Sequence, residues 1–364
     1  MDVGLVVAGS IEQTSGGYRY DRELVSHLER HGDDVTVISV PPEPPESGEP
    51  LAIRERLDRP FDVLLQDELC YPTLVEHNPH LDGPSEIVAL VHLLESARPE
   101  ERDAPDGSRT RNRTRERERR YLETVDAAIA TSEYTASRTT ELVTLPTLVA
   151  PPAGRREGAA VSPTAVDRRA RATPFRLVFV GNVVDRKNLP TLLEALARVD
   201  RACEWDATVV GDTNADPAAA RVARARAAAL QIDDRISFAG RVDDATLESI
   251  LERTHVLAVP STYEGFGMVY LEAMEYGVVP IASAVGGASE FVDDGHNGFV
   301  VDPDDVDRIT SVLETLVTDR DRLSAIGRRA LETADAHPTW GETTDSVRAF
   351  LQTRLEGDSG RSSN

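Results

Sequence analysis

The sequence predicts an α/β protein built from two doubly wound, Rossmann-like domains. Three observations carry the prediction. The chain has 364 residues, which at roughly 150 residues per domain points to two domains rather than one. Short apolar runs closed by glycine alternate with stretches of helical period, the order of a βαβ unit. The alternation breaks off near residue 151 and restarts near 174.

The first run, Val3-Gly4-Leu5-Val6-Val7-Ala8, ends in Gly9-Ser10 and has the pattern of a parallel strand buried on both faces. A polar loop containing Ser15-Gly16-Gly17 leads into a helical pattern with Leu24, Val25 and Leu28 on one face, stopped near Gly32. Val35-Thr36-Val37-Ile38 is the second strand, and further strands are predicted over 61–65, 87–91, 127–130 and 145–150. Residues 151–173 show neither period and read as a linker or an ill-ordered surface loop. Structure restarts with Phe175-Arg176-Leu177-Val178-Phe179-Val180, closed by Gly181, and a helix through Leu189, Leu192, Leu193 and Leu196. Thr208-Val209-Val210, closed by Gly211-Asp212, and runs over 236–238, 256–259, 278–282 and 299–301 continue the alternation. Domains are expected over 1–165 and 174–335, followed by a terminal helix over 338–356. The two βαβ-rich halves are a coarse duplication. The Ser/Gly-rich tail after Gly357 is expected to fray.

Composition narrows the class. A net charge of -23, with 40% hydrophobic and 28% charged residues, is that of a soluble globular chain. No run approaches 18 apolar residues, and Asp2 stands where a signal peptide would carry Lys or Arg, so a cytoplasmic protein is expected. Cys70 and Cys203 are far apart and outside any Cys-x-x-Cys or Cys/His cluster, which indicates neither a disulfide framework nor a zinc site. A pI near 4.8 disfavours nucleic acid and anionic lipid as partners. The excess of carboxylates suits a halophile-like cytosol, where salt screens the repulsion. Of the 40 basic residues, 39 are arginine and one, Lys187, is lysine. Compositional drift is one reading of that lysine; a site needing a compact ammonium is the other.

The stretch from Arg109 to Arg120 holds seven arginines, relieved by Glu116 and Glu118. It reads as a solvated helix whose Glu and Arg pair at helical spacing. The alternative is a basic patch giving peripheral contact with an anionic, lipid-linked partner at the inner face of the membrane.

Open parallel sheets bind ligands beyond the carboxyl ends of their strands. In the second half, Gly181-Asn182-Val183-Val184-Asp185-Arg186-Lys187-Asn188 puts two cations and several backbone N–H groups between a strand and a helix, where a phosphate is held. Pro260-Ser261-Thr262-Tyr263-Glu264-Gly265-Phe266-Gly267 follows a buried strand and opens a helix containing Glu272. Glu264 lies in the loop and Glu272 about two turns along, so both carboxylates can face one ligand at the helix N-terminus. A carboxylate accepting two neighbouring hydroxyls reads a ribose or sugar diol, and the glycines beside it let backbone amides approach phosphate. His92 ends the strand predicted over 87–91. His27, His31, His77, His80, His255, His296 and His337 lack comparable placement, and surface roles are expected for each.

Pro260-Ser261 with Glu264-Gly265-Phe266-Gly267 and Glu272-Ala273-Met274, followed by Gly286-Gly287-Ala288-Ser289-Glu290 and Gly295-His296-Asn297-Gly298, resembles glycosyltransferase family 4, the retaining, GT-B-fold sugar transferases of group 1. The resemblance extends over most of the chain and implies two domains facing each other across a cleft. It implies a nucleotide-diphosphate-sugar donor held mainly by the second domain and a glycan, lipid-linked or small-molecule acceptor held mainly by the first. Glu272 would take the ribose hydroxyls, Glu264 the transferred sugar and Lys187 the diphosphate, while Gly16 and Gly17 resemble the family's N-terminal glycine loop. Asn182, Arg186, Gly265, Phe266 and Gly267 complete the expected donor contacts, and His92 resembles the active-site histidine near the reacting centre. Trp340 and the helix after it resemble the terminal segment that crosses back to the first domain.

Neutralising the developing phosphate charge is the main catalytic task, and the family does it without a divalent metal, by cations and helix dipoles. No cofactor is expected, and no Asp-x-Asp motif suggests a metal-dependent donor site. One departure stands out: the family often places Arg directly after the glycine at 181, where this chain has Asn182, which can hydrogen-bond a phosphate but not neutralise it. Arg186 is a candidate for the second charge, although neighbours leaving a strand usually point apart. A nucleotide-sugar epimerase or hydrolase on the same fold, and a catalytically degenerate binding subunit, are the alternatives. No Gly-x-Gly-x-x-Gly follows a predicted strand and no Gly-x-x-x-x-Gly-Lys-Ser/Thr is present, against a dehydrogenase and a kinase. Acceptor choice would lie in first-domain loops, including 93–108, which reads as a segment able to close over the site.

Overall fold

A computed structural model describes residues 1–41, 50–98, 107–156 and 158–359. The chain forms two compact units, Met1–Pro152 with Pro338–Asn364, and Ala153–His337. Much of the 93–108 loop expected to close over a site lies outside the described residues.

The first unit is an all-parallel sheet of β1 (Asp2–Ala8), β2 (Asp34–Val40), β3 (Val63–Asp67), β4 (Glu86–Val91), β5 (Ala127–Ala130) and β6 (Thr147–Val149), in the order β2-β1-β3-β4-β5-β6. Alternate residues of each strand enter opposite faces. Val6, Leu64, Ala89 and Ala128 meet one set of helices, and Val3, Leu5, Val7, Leu65 and Leu90 the other. The chain leaves β1 toward β2 on one side, while β3 begins the growth on the other. That reversal puts a crevice beyond the carboxyl ends of β1 and β3.

The C-terminal helix Trp340–Ser359 belongs to this unit and buries Val347 and Leu351 against the same core face as Leu24 and Leu28. Asp33 clamps it, accepting from Arg348 at 2.7 Å and from the Met1 amine at 2.8 Å. Arg354 pairs with Glu86 at 3.0 Å. Helical hydrogen bonding extends to Ser359, and the rest of the tail expected to fray, 360–364, lies outside the described residues. In the helix Gly107–Leu122, Arg119 pairs with Glu116 and Glu123 as the helical spacing implies. Glu118 departs from that picture: it is buried and accepts from the Glu95 and Ser96 N–H groups and the Ser96 hydroxyl, so it is an anchor for the chain after β4 rather than a solvated partner.

The second unit repeats the plan with β7 (Phe175–Val180), β8 (Trp205–Val210), β9 (Ile236–Gly240), β10 (Val256–Val259), β11 (Val279–Ser283) and β12 (Phe299–Val301), ordered β12-β11-β10-β7-β8-β9. The order reverses between β7 and β10, the topological switch point of a doubly wound sheet. β10 and β11 are buried along their whole length.

The unit begins at Ala153, so the boundary expected at 165 and the linker expected over 151–173 need correction. Pro163–Ala170 is a helix, capped by the Ser162 hydroxyl on the Ala165 N–H, and it buries Val166 and Ala170. Arg169 donates to the Gly277 carbonyl at 2.6 Å, and the Ala160 N–H to the Glu275 carbonyl at 2.8 Å. Two buried apolar residues in eight, among arginines, leave no readable period; hydrogen bonds to distant backbone hold the segment instead. Among the described residues no helix is long and apolar enough to cross a membrane.

Candidate active site

In the second unit, the chain leaving β7 turns through a short 3-10 segment, Asp185–Lys187, before a proline-started helix, Leu189–Arg198. The chain leaving β10 forms the loop 260–267 and enters the helix Met268–Met274. These are the two loops that flank the switch point, and backbone hydrogen bonds join them: the Thr262 N–H donates to the Arg186 carbonyl at 2.8 Å. On the other side, the Glu264 N–H donates to Val285 and the Gly287 N–H to Gly265, both at 3.1 Å, so the loop after β11 supports it too.

Glu264 sits at the centre. Its Oε1 accepts from the Ser261 hydroxyl at 2.7 Å and from the Lys187 ammonium; its Oε2 lies 3.3 Å from Arg186 Nη1. Burial opposes the Glu264 charge, but Lys187, Arg186 and Ser261 hold its pKa down to about 2. Burial lowers the pKa of Lys187 against the pull of Glu264. The expectation that Arg186 and Lys187 point apart is corrected here: both reach one carboxylate, because the 3-10 turn replaces the alternation of an extended strand. Two cations around one anion leave a local excess of positive charge where a diphosphate is expected. Asn182 is exposed at the start of the loop, and the second cation beside Lys187 is Arg186.

Glu272 lies in the second turn of the Met268–Met274 helix, its Oε2 2.9 Å from Arg155 Nε. Arg155 also reaches Asp244 at 2.5 Å. Burial works against the Arg155 charge, and Glu272 and Asp244 together hold it above its ordinary value. Phe266, expected to contact the donor, packs its ring on Phe291 at 4.8 Å and near His337 at 5.6 Å. Gly267 caps the helix in the left-handed conformation, and Gly265 accepts from Gly287, so these positions shape the loop through backbone.

In the first unit, the loop after β1 leads to Gly16 and Gly17 in the first turn of the helix Gly16–Arg30, whose N-cap is Ser15. A Cβ on Gly17 would stand 3.1 Å from His92 Cδ2, so the absence of a side chain lets the imidazole lie on the glycine turn. His92 Nε2 is 3.1 Å from Asp21 Oδ1, one turn along that helix. Glu68, just past β3, accepts the N–H groups of His92 at 2.8 Å and Leu93 at 3.1 Å. Asp21, Asp67 and Glu68 are all buried. Burial alone would lower the His92 pKa; Asp21, Glu68 and Asp67 outweigh it and raise it to about 10, so the ring is an imidazolium at neutral pH. Burial raises Asp67 to about 6 and lifts Glu68 well above the carboxylate range.

Asp21, Asp67, Glu68 and Arg155 carry no signal along the sequence, since each owes its place to a partner distant in sequence or to a loop turn; Ser261 belongs to the 260–267 motif, and the loop turn gives it its role on Glu264. His27 and His255, expected at the surface, are buried. His255 stacks on Phe175 at 5.2 Å and accepts the Arg176 N–H at 2.8 Å, a core role.

Residues 165–333 match the family model described as glycosyl transferases group 1. The chain is 32% identical over 189 residues to a GDP-mannose-dependent alpha-(1-6)-phosphatidylinositol monomannoside mannosyltransferase of Mycobacterium tuberculosis, a match covering 50% of this chain and 47% of that protein. It is 33% identical over 177 residues to a D-inositol 3-phosphate glycosyltransferase of Stackebrandtia nassauensis, covering 47% and 40%. The chain thus spans less than half the length of these curated relatives. In fold it is similar to a sucrose-phosphate synthase from Thermosynechococcus elongatus (TM-score 0.80, 20% identity, 98% of this chain and 99% of that one). It is also similar to Anabaena HepE in complex with UDP-glucose (TM-score 0.75, 17% identity, 97% and 100%). The two six-stranded parallel sheets are those of the GT-B fold, and residues 165–333 of this chain are similar to the glycosyl transferases of group 1.

Proposed function

We propose that the chain is a retaining glycosyltransferase that moves a sugar from a nucleotide-diphosphate-sugar donor to a hydroxyl-bearing acceptor. The observation that carries the reading is the convergence of Lys187 and Arg186 on Glu264 at the switch point of the second sheet. In this reading the two cations take the donor's diphosphate, and Glu264, kept ionised by them, accepts hydroxyls of the transferred sugar. Glu272, held by Arg155, accepts the ribose diol. As the glycosidic bond breaks, negative charge grows on the leaving phosphate; preorganised cations stabilise it more in the transition state than in the ground state. No divalent cation is required. In the first unit, the His92 imidazolium, set by Asp21, and the amides of Gly16 and Gly17 are the groups assigned to substrate. The acceptor hydroxyl attacks from the face the phosphate leaves and gives its proton to the departing phosphate oxygen, which preserves the anomeric configuration.

The test is thermal stabilisation by a panel of nucleoside diphosphates and their sugar conjugates, in high salt with EDTA present, comparing wild type with Glu272→Ala and Lys187→Ala. One base is expected to raise the melting temperature of the wild type, with the shift abolished in both variants. Product analysis with acceptor then shows transfer. A folded wild type unmoved by every nucleotide would sink the donor assignment.

A further inference from the structure

The helix Gly16–Arg30 carries His27 and ends on His31, four residues apart and therefore on one face. The C-terminal helix Trp340–Ser359 brings Asp345 to them. Asp345 Oδ1 is 3.0 Å from His27 Nε2 and 4.0 Å from His31 Nε2, and one ligand atom from each residue lies within 4.8 Å of the others. A tetrahedral zinc ion with bonds of about 2.0–2.1 Å needs donors about 3.3 Å apart, within the range these atoms span.

Protonation supports the same conclusion. His31 Nδ1 is 2.9 Å from the His27 carbonyl oxygen. A carbonyl only accepts, so Nδ1 carries a hydrogen, and the lone pair of the neutral ring is then on Nε2, on the side of Asp345. Metal-binding histidines are held in one tautomer by this kind of outer hydrogen bond. His27 Nε2 is buried and makes no hydrogen bond, although the Asp345 oxygen is near. Three ligand atoms therefore converge on a point that the solvent-exposed His31 and Asp345 leave open to entry.

We propose that His27 Nε2, His31 Nε2 and Asp345 form a site for a zinc-type divalent ion, with water in the fourth position, that ties the C-terminal helix to the helix Gly16–Arg30. Two imidazoles and a carboxylate suit zinc and its neighbours rather than magnesium or calcium. The site draws on none of the residues assigned to the donor, so it stands or falls separately from the transferase reading.

The experiment uses the full chain without an affinity tag, stripped of metal, titrated with Zn²⁺ by calorimetry and with Co²⁺ as an optical probe. His31→Ala and Asp345→Asn are the variants, because both side chains are exposed and neither supports the core. Wild type is expected to take up one zinc ion per chain, gain about 3–6 °C in melting temperature at saturation and give the visible bands of four-coordinate cobalt. Both variants lose all three, while Asp345→Asn keeps its metal-free melting temperature. No uptake by wild type, or uptake unchanged in the variants, overturns the proposal.

Discussion

His92 and Glu264 show how single residues are set by what surrounds them, and their pKa shifts have opposite consequences. The ordinary histidine value is 6.5 and the folded value is about 10. The folded state therefore binds the proton more tightly, and this stabilisation is complete below pH 6.5 and is lost as pH rises toward 10. Glu264 falls from 4.5 to about 2, so its contribution is complete above pH 4.5 and is lost as pH falls toward 2. Urea unfolding as a function of pH is expected to show both declines. His92→Gln removes the alkaline one and Glu264→Gln the acid one, each leaving the other. An alkaline decline unchanged in His92→Gln would show that the buried acids, not the imidazolium, set it. Lys187 and Glu264 were legible because a lone lysine and a Gly/Glu-dense loop are visible along the chain. Asp21 was not: its partner is 71 residues away, and an aspartate inside an amphipathic helix reads as surface until the fold buries it.

Among elements, the strands were read most faithfully. A parallel strand covered on both faces must be apolar at successive positions, and the runs at 87–91, 127–130, 175–180 and 256–259 lie within or coincide with β4, β5, β7 and β10. The arginine-rich Pro163–Ala170 helix escaped because side-chain hydrogen bonds to remote backbone leave no hydrophobic period. The loop carrying Glu264 depends on a similar long-range contact. Gly286 pairs with Glu264 in an isolated bridge, has φ +131°, and a Cβ there would fall 1.9 Å from the Glu264 carbonyl oxygen. Gly286→Ala must displace the loop as well as strain its own backbone. It is expected to cost about 3 kcal/mol in urea unfolding and to abolish nucleotide-induced stabilisation. A variant with unchanged unfolding would mean that the loop yields at no cost.

On the scale of the whole molecule, charge dominates. With 63 acidic residues against 40 basic ones, self-repulsion opposes compactness, and the many Arg–carboxylate pairs on the surface contribute little each. Salt screens both, and the repulsion is the larger quantity. The melting temperature is therefore expected to rise between low and molar potassium chloride, in wild type and in Asp345→Asn alike; a flat or falling curve would remove the halophile-like interpretation.

The near-absence of lysine has a chemical consequence beyond electrostatics. Apart from the amine of Met1, which is engaged by Asp33, Lys187 Nζ is the chain's single primary amine. Acylating or reductively alkylating reagents that label most proteins at many places can here modify little besides the proposed donor site. Incorporation of label, weighed on the intact chain, would thus report directly on whether that site is occupied.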